Sequence, residues 1–456
     1  MNDQIQTLSQ RKIRWLILLF ISLVIGTNYY VYDAMSSIKE VMQVELGFSS
    51  TDYGLIVSFY AFPNTFLLMT VFGGILLDRY GIRKIGFLFT LLCTLGALLT
   101  AYGASGQFLS GGPGYGLLGS FLPRFSPALK MMILGRLLFG LGAETSLVAI
   151  NKIMVRWFNG KELAFAFGLN LAVARLGTAA ALISSPLLIE SEAGWTFALW
   201  LAAVIMGAGL VFFIIYMITD SRIEQNMAAS AIEDEEPFHI RDIVELLRNR
   251  PYIYIVLLCV TFYAAVFPFQ AYCPDLLHQK FGLSLKLSGM LSSVIIWGTI
   301  IFTPIFGWYV DKKGKHAQLM MVGSFMLLVS HLYLALTRLT PFIAMLMLGI
   351  AFSLVPAAMW PAVARLVKEK RLGTAYGLMT SVQNLGMFVF PILAGKITDL
   401  RNPGVTPEML DQGVATLNYT WTILMFAGVA TTGFVFAALL KSVSHSLNTV
   451  EVEPVH

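Results

Sequence analysis

Apolar runs of membrane-crossing length recur along this chain between short charged or turn-rich breaks, and that spacing restricts its fold more than any single motif does. A helix needs about 20 residues to cross roughly 30 Å of hydrocarbon. Twelve stretches reach that length: 13–35, 52–77, 85–103, 128–151, 162–188, 194–219, 252–276, 287–310, 317–337, 341–364, 373–398 and 416–440. Lipid offers the backbone no water to bond, and no alternating pattern of barrel-strand length is present, so each stretch is predicted to be a helix. With 57% apolar and 12% charged residues, a water-facing globule of 456 residues is excluded. The expected fold class is an all-α membrane protein.

An even number of spans puts both termini on one side, and the Lys and Arg distribution says which. Of the 31, loops on the terminal side hold 21, opposite loops hold eight, and Arg136 and Arg175 lie inside spans. Both termini are therefore expected in the cytoplasm. The basic N-terminal stretch has no small-residue cleavage site, so the first apolar run is predicted to remain as a helix. Orientation also accounts for the net charge of +5, and no basic patch interleaved with aromatics points to nucleic acid. Cys93, Cys259 and Cys273 have no paired spacing and the six histidines are scattered, so no disulfide framework, metal site or cofactor is expected. No phosphate loop or span-embedded triad supports an enzyme. The interruption at 220–250 carries the acidic run Glu233 to Glu236, then Phe238, Ile240, Ile243, Val244, Leu246 and Leu247 among polar residues. That pattern predicts a cytoplasmic linker with one amphipathic helix. It separates an N-terminal half, 1–219, from a C-terminal half, 251–456. The loop 104–127 is glycine-rich, uncharged apart from Arg124, and has no legible role.

The halves echo each other. Gly74-Ile-Leu-Leu-Asp78-Arg79-Tyr80-Gly81-Ile82-Arg83-Lys84 follows the second span, and Gly307-Trp-Tyr-Val-Asp311-Lys312-Lys313-Gly314-Lys315 follows the eighth, at a shift of 233 residues. The first glycine of each copy is expected to let two helices approach closely, and the Asp to sit near a helix end. The cations are expected to fix orientation and to pair across the half interface. This repeat resembles the signature loop of the major facilitator superfamily, and Arg136-Leu-Leu-Phe-Gly140-Leu-Gly142 is similar to that family's intramembrane arginine motif. The resemblance covers the whole chain and implies twelve transmembrane helices in two six-helix pseudo-repeats. It further implies an alternating-access transporter whose halves rock about a midplane site. Gly74, Asp78, Arg79, Gly81, Arg83, Arg136, Asp311, Lys312 and Gly314 are its candidate gating residues. The Gly-Pro-x-x-Gly-Gly signature of drug/proton antiporters is replaced by Ala174-Arg175-Leu176-Gly177-Thr178, so drug efflux is not expected.

A narrower set of segments looks like the branch containing the animal lysosomal dipeptide uniporter. It includes Tyr32-Asp33, Tyr60-Ala-Phe-Pro63-Asn64, Gly142-Ala-Glu144, Trp157-Phe158-Asn-Gly160-Lys161-Glu162-Leu163, Ala265-Val-Phe-Pro268-Phe269, Pro356-Ala-Ala-Met-Trp360-Pro361 and Gln383-Asn384-Leu-Gly386. That similarity implies dipeptide uniport and a substrate role for Glu144 and Arg175. Neither tail holds an acidic dileucine signal, so the cell (inner or plasma) membrane is expected in preference to the lysosome. The expected partners are a small-molecule substrate and the lipid bilayer, with the chain acting as a monomer.

An ionisable side chain at the bilayer centre costs about 2.5 to 3.5 kcal/mol, so each needs a partner or a wet cavity. Asp33, Arg136, Glu144 and Arg175 are such residues. Glu144 follows Arg136 by eight residues, which sets them about 12 Å apart on one face, too far to pair. Consecutive antiparallel helices can bring Arg175 beside Glu144. Two roles are open: a structural salt bridge, or recognition of a zwitterion, with Arg175 forking to a carboxylate and Glu144 or Asp33 taking an ammonium group. A dipeptide spans roughly 7 Å between its ends, which suits separated charges of this kind. Tyr29 and Tyr30 near Asn28, Trp360 between two prolines, and Gln383 and Asn384 are further candidate substrate contacts, with helix packing as the alternative for each. The runner-up is a proton-coupled symporter or exchanger of small organic anions. A non-transporting membrane receptor or scaffold is the alternative of a different class.

Overall fold

The structure, a computed structural model, describes residues 2–158, 162–189, 194–224, 245–367 and 372–443. Regular structure among these residues is helical throughout. In chain order the helices are α1 (Asn2–Asp33), α2 (Lys39–Leu46), α3 (Ser50–Ser58), α4 (Phe62–Phe66), α5 (Met69–Tyr80), α6 (Ile82–Ala104), α7 (Gly106–Leu109), α8 (Tyr115–Gly119) and α9 (Pro127–Phe158). There follow α10 (Leu163–Ile189), α11 (Phe197–Glu224), α12 (Arg250–Phe281), α13 (Leu285–Lys313), α14 (His316–Leu336), α15 (Phe342–Leu366), α16 (Leu372–Arg401), α17 (Pro407–Asp411) and α18 (Thr420–Val443). Of the amphipathic segment expected within 220–250, Phe238, Ile240, Ile243 and Val244 lie outside the described residues, as do Asn159 to Lys161 and the loop cations Arg241, Lys368, Lys370 and Arg371.

Eleven described helical segments are long and apolar enough to cross a membrane. They are apolar around their circumference rather than along one stripe, as α11 shows by burying Met206 and Phe213 while exposing Val204 and Val211. A segment with neighbours on one side and lipid on the other has that requirement. The predicted second span is the exception. Residues 52–77 fold as α3, α4 and α5, three pieces each too short to cross alone. Pro63, in the first turn of α4, has no N–H with which to continue the ladder back into α3, and Leu68 takes a left-handed φ of 50° between α4 and α5. The break is stabilised by Asn64, whose side-chain oxygen accepts from the Thr70 N–H at 3.0 Å and so supplies a partner to the first turn of α5.

The helices form two compact units. Of the described residues, those within 2–35 and 62–224 form the first, and those within 36–61 and 245–443 form the second. Within the first, α1 and α10 touch backbone to backbone. A Cβ on Gly177 would come within 2.1 Å of the Gly26 carbonyl oxygen, so only glycine permits this approach. Within the second, Tyr53 donates to Ala271 O at 2.8 Å and Tyr252 to Ala375 O at 2.7 Å, which ties α3 and α16 to α12. The Asp399 carboxylate accepts from the Ser50 and Thr51 N–H groups at 2.8 Å each, an acceptor for the otherwise unpaired donors that start α3.

Candidate substrate site and gating loops

The α1–α10 contact at Gly26 and Gly177 sets the level at which polar residues of the first unit meet. Arg175, two residues before Gly177, holds its guanidinium carbon 5.9 Å from the centre of the Tyr29 ring. Tyr29 stands within electrostatic reach of Arg175, Glu144 and Asp33 together. Asp33 lies against Thr178, with Arg175 and Arg136 in reach. Helices α1, α9 and α10 thus place two carboxylates and a guanidinium within electrostatic range of one tyrosine. Asp33 and Glu144 are buried, while Arg175 and Tyr29 keep part of their surface open. Beside Tyr29, the buried Asn28 has no hydrogen-bond partner for either amide atom among the described residues. A dry amide in that state costs about 1 to 3 kcal/mol, a cost removed where water or a polar ligand enters.

The other candidates have contacts of their own. Tyr30 shares a 2.7 Å hydrogen bond with Ser184 and so serves the α1–α10 packing. Arg136 donates to the Val31 and Tyr32 carbonyls at 3.3 and 3.4 Å, with its guanidinium over the Tyr32 and Phe139 rings. It holds the end of α1, and through it the position of Asp33. In the second unit, Trp360 donates from Nε1 to the Tyr263 hydroxyl at 3.1 Å, and its carbonyl accepts from Tyr376 at 3.0 Å. Gln383 contacts Cys259 and Met387, both sulfur partners, while the Asn384 amide donates to Thr380 O one turn back on α16.

Of the gating residues, Asp78 pairs with Lys152 on α9, and Arg83 reaches Asp220 on α11 at 3.6 Å. Arg79 lies over the Tyr80 ring, and Lys312 over Trp308 at 5.0 Å. Asp311 is exposed. Gly81 ends α5 with φ of 90° and Gly314 ends α13 with φ of 63°, which is why glycine recurs at this place in both copies. Within its own unit, the first glycine of each copy makes no close approach among the described residues. A Cβ on Gly74 or Gly307 would meet nothing within 4 Å, whereas one on Gly73 would sit 2.5 Å from Thr145 Oγ1. In the first copy the close approach belongs to the neighbouring Gly73, about 100° around the helix.

Two ionic groups escaped sequence reasoning. Lys39, wholly buried on α2, bonds Asp275 at 2.8 Å and Gln43, and Tyr419 donates to the same Asp275 oxygen. Rings of Tyr53, Tyr272 and Tyr419 lie 5.7 to 5.9 Å from its ammonium group. Asp220, wholly buried, receives the Trp157 indole N–H at 3.0 Å with Arg83 and Arg156 close by. The available signal was an Asp inside or at the end of a predicted span, which requires a cation somewhere.

Comparison with known proteins settles the family. The model of the Major Facilitator Superfamily matches residues 18–391 and 271–453. The chain belongs to that superfamily. Its members are transporters, so this facilitator is a multi-pass membrane transporter and not an enzyme. The Lysosomal dipeptide transporter MFSD1 of Homo sapiens is 32% identical over 399 residues, covering 85% of this chain and 80% of the relative. The Hexuronate transporter of Bacillus subtilis (strain 168) is 24% identical over 84% of this chain and 87% of its own. Among solved structures, a substituted form of the nucleoside transporter NupG aligns with a TM-score of 0.72 at 14% identity, covering 93% of this chain and 99% of the other. A bacterial homologue of the human lysosomal transporter Spinster, inward-facing and occupied, aligns at 0.69 with 14% identity over 96% and 99%. Those two likenesses establish the facilitator fold.

Proposed function

We propose that this protein is an alternating-access facilitator for short zwitterions, dipeptides foremost. The observation that carries the proposal is the gathering of Asp33, Glu144 and Arg175 around Tyr29 inside the first unit. Arg175 offers a planar fork for the terminal carboxylate, oriented by the tyrosine ring beneath it. Glu144, with Asp33 near, accepts the terminal ammonium group. The name of the human relative supports the same substrate class. It also weighs toward the lysosomal membrane and against the cell membrane that the tails alone suggest. Similarity to a hexuronate transporter favours a second reading, exchange or symport of small organic anions, in which Arg175 binds the carboxylate and Glu144 has no ammonium to meet.

Uptake by the reconstituted protein separates the two. Free dipeptides should compete for transport, and N-acetylation or C-amidation should each weaken competition by about 1.5 to 3 kcal/mol, the worth of one hydrogen bond to a charged group. Equal competition by blocked and free peptides eliminates the zwitterion site. An N-acetyl peptide as effective as the free one, with the amide ineffective, moves the assignment to organic anions. A uniporter only equilibrates its substrate, so acidifying the outside of the vesicles should not drive accumulation. Concentration of peptide against its gradient under that condition replaces uniport with proton symport.

A further inference from the structure

Between α6 and α9 lies a loop whose composition suits water poorly. Residues 105–126 contain no acidic side chain and a single cation, Arg124, yet they include Leu109, Leu117, Leu118, Phe121 and Leu122. Leu117 is 72% exposed, Leu122 59% and Phe121 46%. A water-facing loop gains nothing from such exposure, and contiguous apolar surface of this kind marks a contact with a partner or a bilayer.

The backbone beneath these side chains has been made ready to leave water. Gly112, Tyr115, Leu118, Ser120 and Phe125 all donate their N–H groups to carbonyls within the loop. The Ser110 and Ser120 hydroxyls donate to Gln107 and Leu117 carbonyls. The carbonyls at the end of α8 ordinarily need water. Here Lys130 supplies the partner: its ammonium group donates to Leu118 O at 2.5 Å and to Phe121 O, and lies 4.8 Å from the Phe121 ring. A cation in the first turn of α9 opposes the helix dipole, so Lys130 sits there at an electrostatic cost that these carbonyls offset. The base of the loop is fixed by Tyr102, which bonds Pro113 O at 3.2 Å and packs on Phe108, itself packed on Tyr115. One turn beyond Lys130, on the same face of α9, Leu134 is again exposed. The apolar surface of the loop therefore continues that of a membrane span.

We propose that the loop 105–126 is an interfacial anchor, with Leu117, Phe121 and Leu122 inserted at the boundary between headgroups and acyl chains of the adjoining leaflet. The occupant is phospholipid. Aromatic and leucine side chains on a loop that pairs many of its backbone groups internally suit that depth, and Arg124 at the rim suits the headgroup phosphates.

The native cysteines Cys93, Cys259 and Cys273 are wholly buried, so a thiol-reactive fluorophore on Leu117→Cys reports on one position. In vesicles of phosphatidylcholine and phosphatidylglycerol, the label should emit blue-shifted light. Lipids carrying a nitroxide near the top of the acyl chain should quench it at least about twofold more than the same label on Gln107→Cys, an exposed polar position of the same loop. Lys130→Met, which leaves the α8 carbonyls needing water, should reduce that quenching. Water-like emission from position 117, unquenched by lipid, overturns the proposal. Blue-shifted emission without lipid quenching overturns it too, and assigns the surface to a protein partner or a second copy.

Discussion

Two buried ionic groups, one in each unit, use similar ingredients toward different ends. In the second unit, Lys39 is enclosed: Asp275, Gln43 and three tyrosine rings surround an ammonium group with no exposed surface. In the first, the Arg175 guanidinium faces one tyrosine ring and keeps part of its surface open, with Glu144 and Asp33 held at electrostatic range of the same ring. A closed pair in a dry interior repays its desolvation only through its own geometry, and it fastens the elements that carry it. A charge with an open face can exchange its environment for a ligand. Under the proposed function, enclosure, more than charge, distinguishes the fastening from the receptor.

The largest effect is expected where enclosure is complete. Lys39→Ala leaves Asp275 buried without its cation, which should lower stability by about 3 to 5 kcal/mol. A thermal melt of the purified protein reads this directly. Lys39→Met combined with Asp275→Asn removes both charges while keeping an acceptor for the Tyr419 hydroxyl, and should recover most of the loss. A double variant no more stable than Lys39→Ala breaks the comparison, because the loss then does not come from a stranded Asp275 charge.

Next comes the open group, where the expected loss is in transport instead of stability. Arg175→Ala should abolish dipeptide uptake while shifting the melt little, since the side chain is partly exposed. Arg175→Lys should restore only part of the uptake, as a point charge lacks the bidentate fork. Glu144→Gln with Arg175→Gln sharpens the contrast. A purely structural pair loses both charges together in that variant and regains activity, as in the Lys39 case. A recognition pair stays inactive though folded, and measuring both melt and uptake on one preparation distinguishes them.

Much of this was legible because membranes punish errors of composition. Apolar run length announces the helices, and the cost of charge in lipid singles out Asp33, Glu144 and Arg175 from the sequence alone. Lys39 was illegible for the converse reason. A cation between two spans looks like any topology-setting lysine, and its burial depends on Asp275 and Tyr419, distant in sequence. The break in 52–77 was hidden because Pro63 and Leu68 interrupt backbone geometry without interrupting hydrophobicity. The repeat points to Gly74 because a loop motif records spacing along the chain, and spacing does not say that Gly73 is on the face of α5 that meets Thr145.

The smallest effect is expected where exposure is greatest. The Asp78 side chain is 62% exposed and pairs with Lys152, itself 24% exposed, so water and salt screen the pair and its net worth is about 0 to 1 kcal/mol. Asp78→Asn should therefore leave the melt nearly unchanged and substrate affinity within a few fold. Its consequence belongs to the rate. The loop is held at a second point by Arg83 on the buried Asp220, so losing Asp78 loosens one tether while the other stays. Slower uptake at unchanged affinity assigns Asp78 to the conformational step. Loss of affinity in a folded protein removes it from the gating group and extends the receptive region to the α5 loop. Raising the salt in wild-type vesicles should reproduce part of the slowing, because a screened surface pair weakens with ionic strength whereas the enclosed Lys39 pair does not.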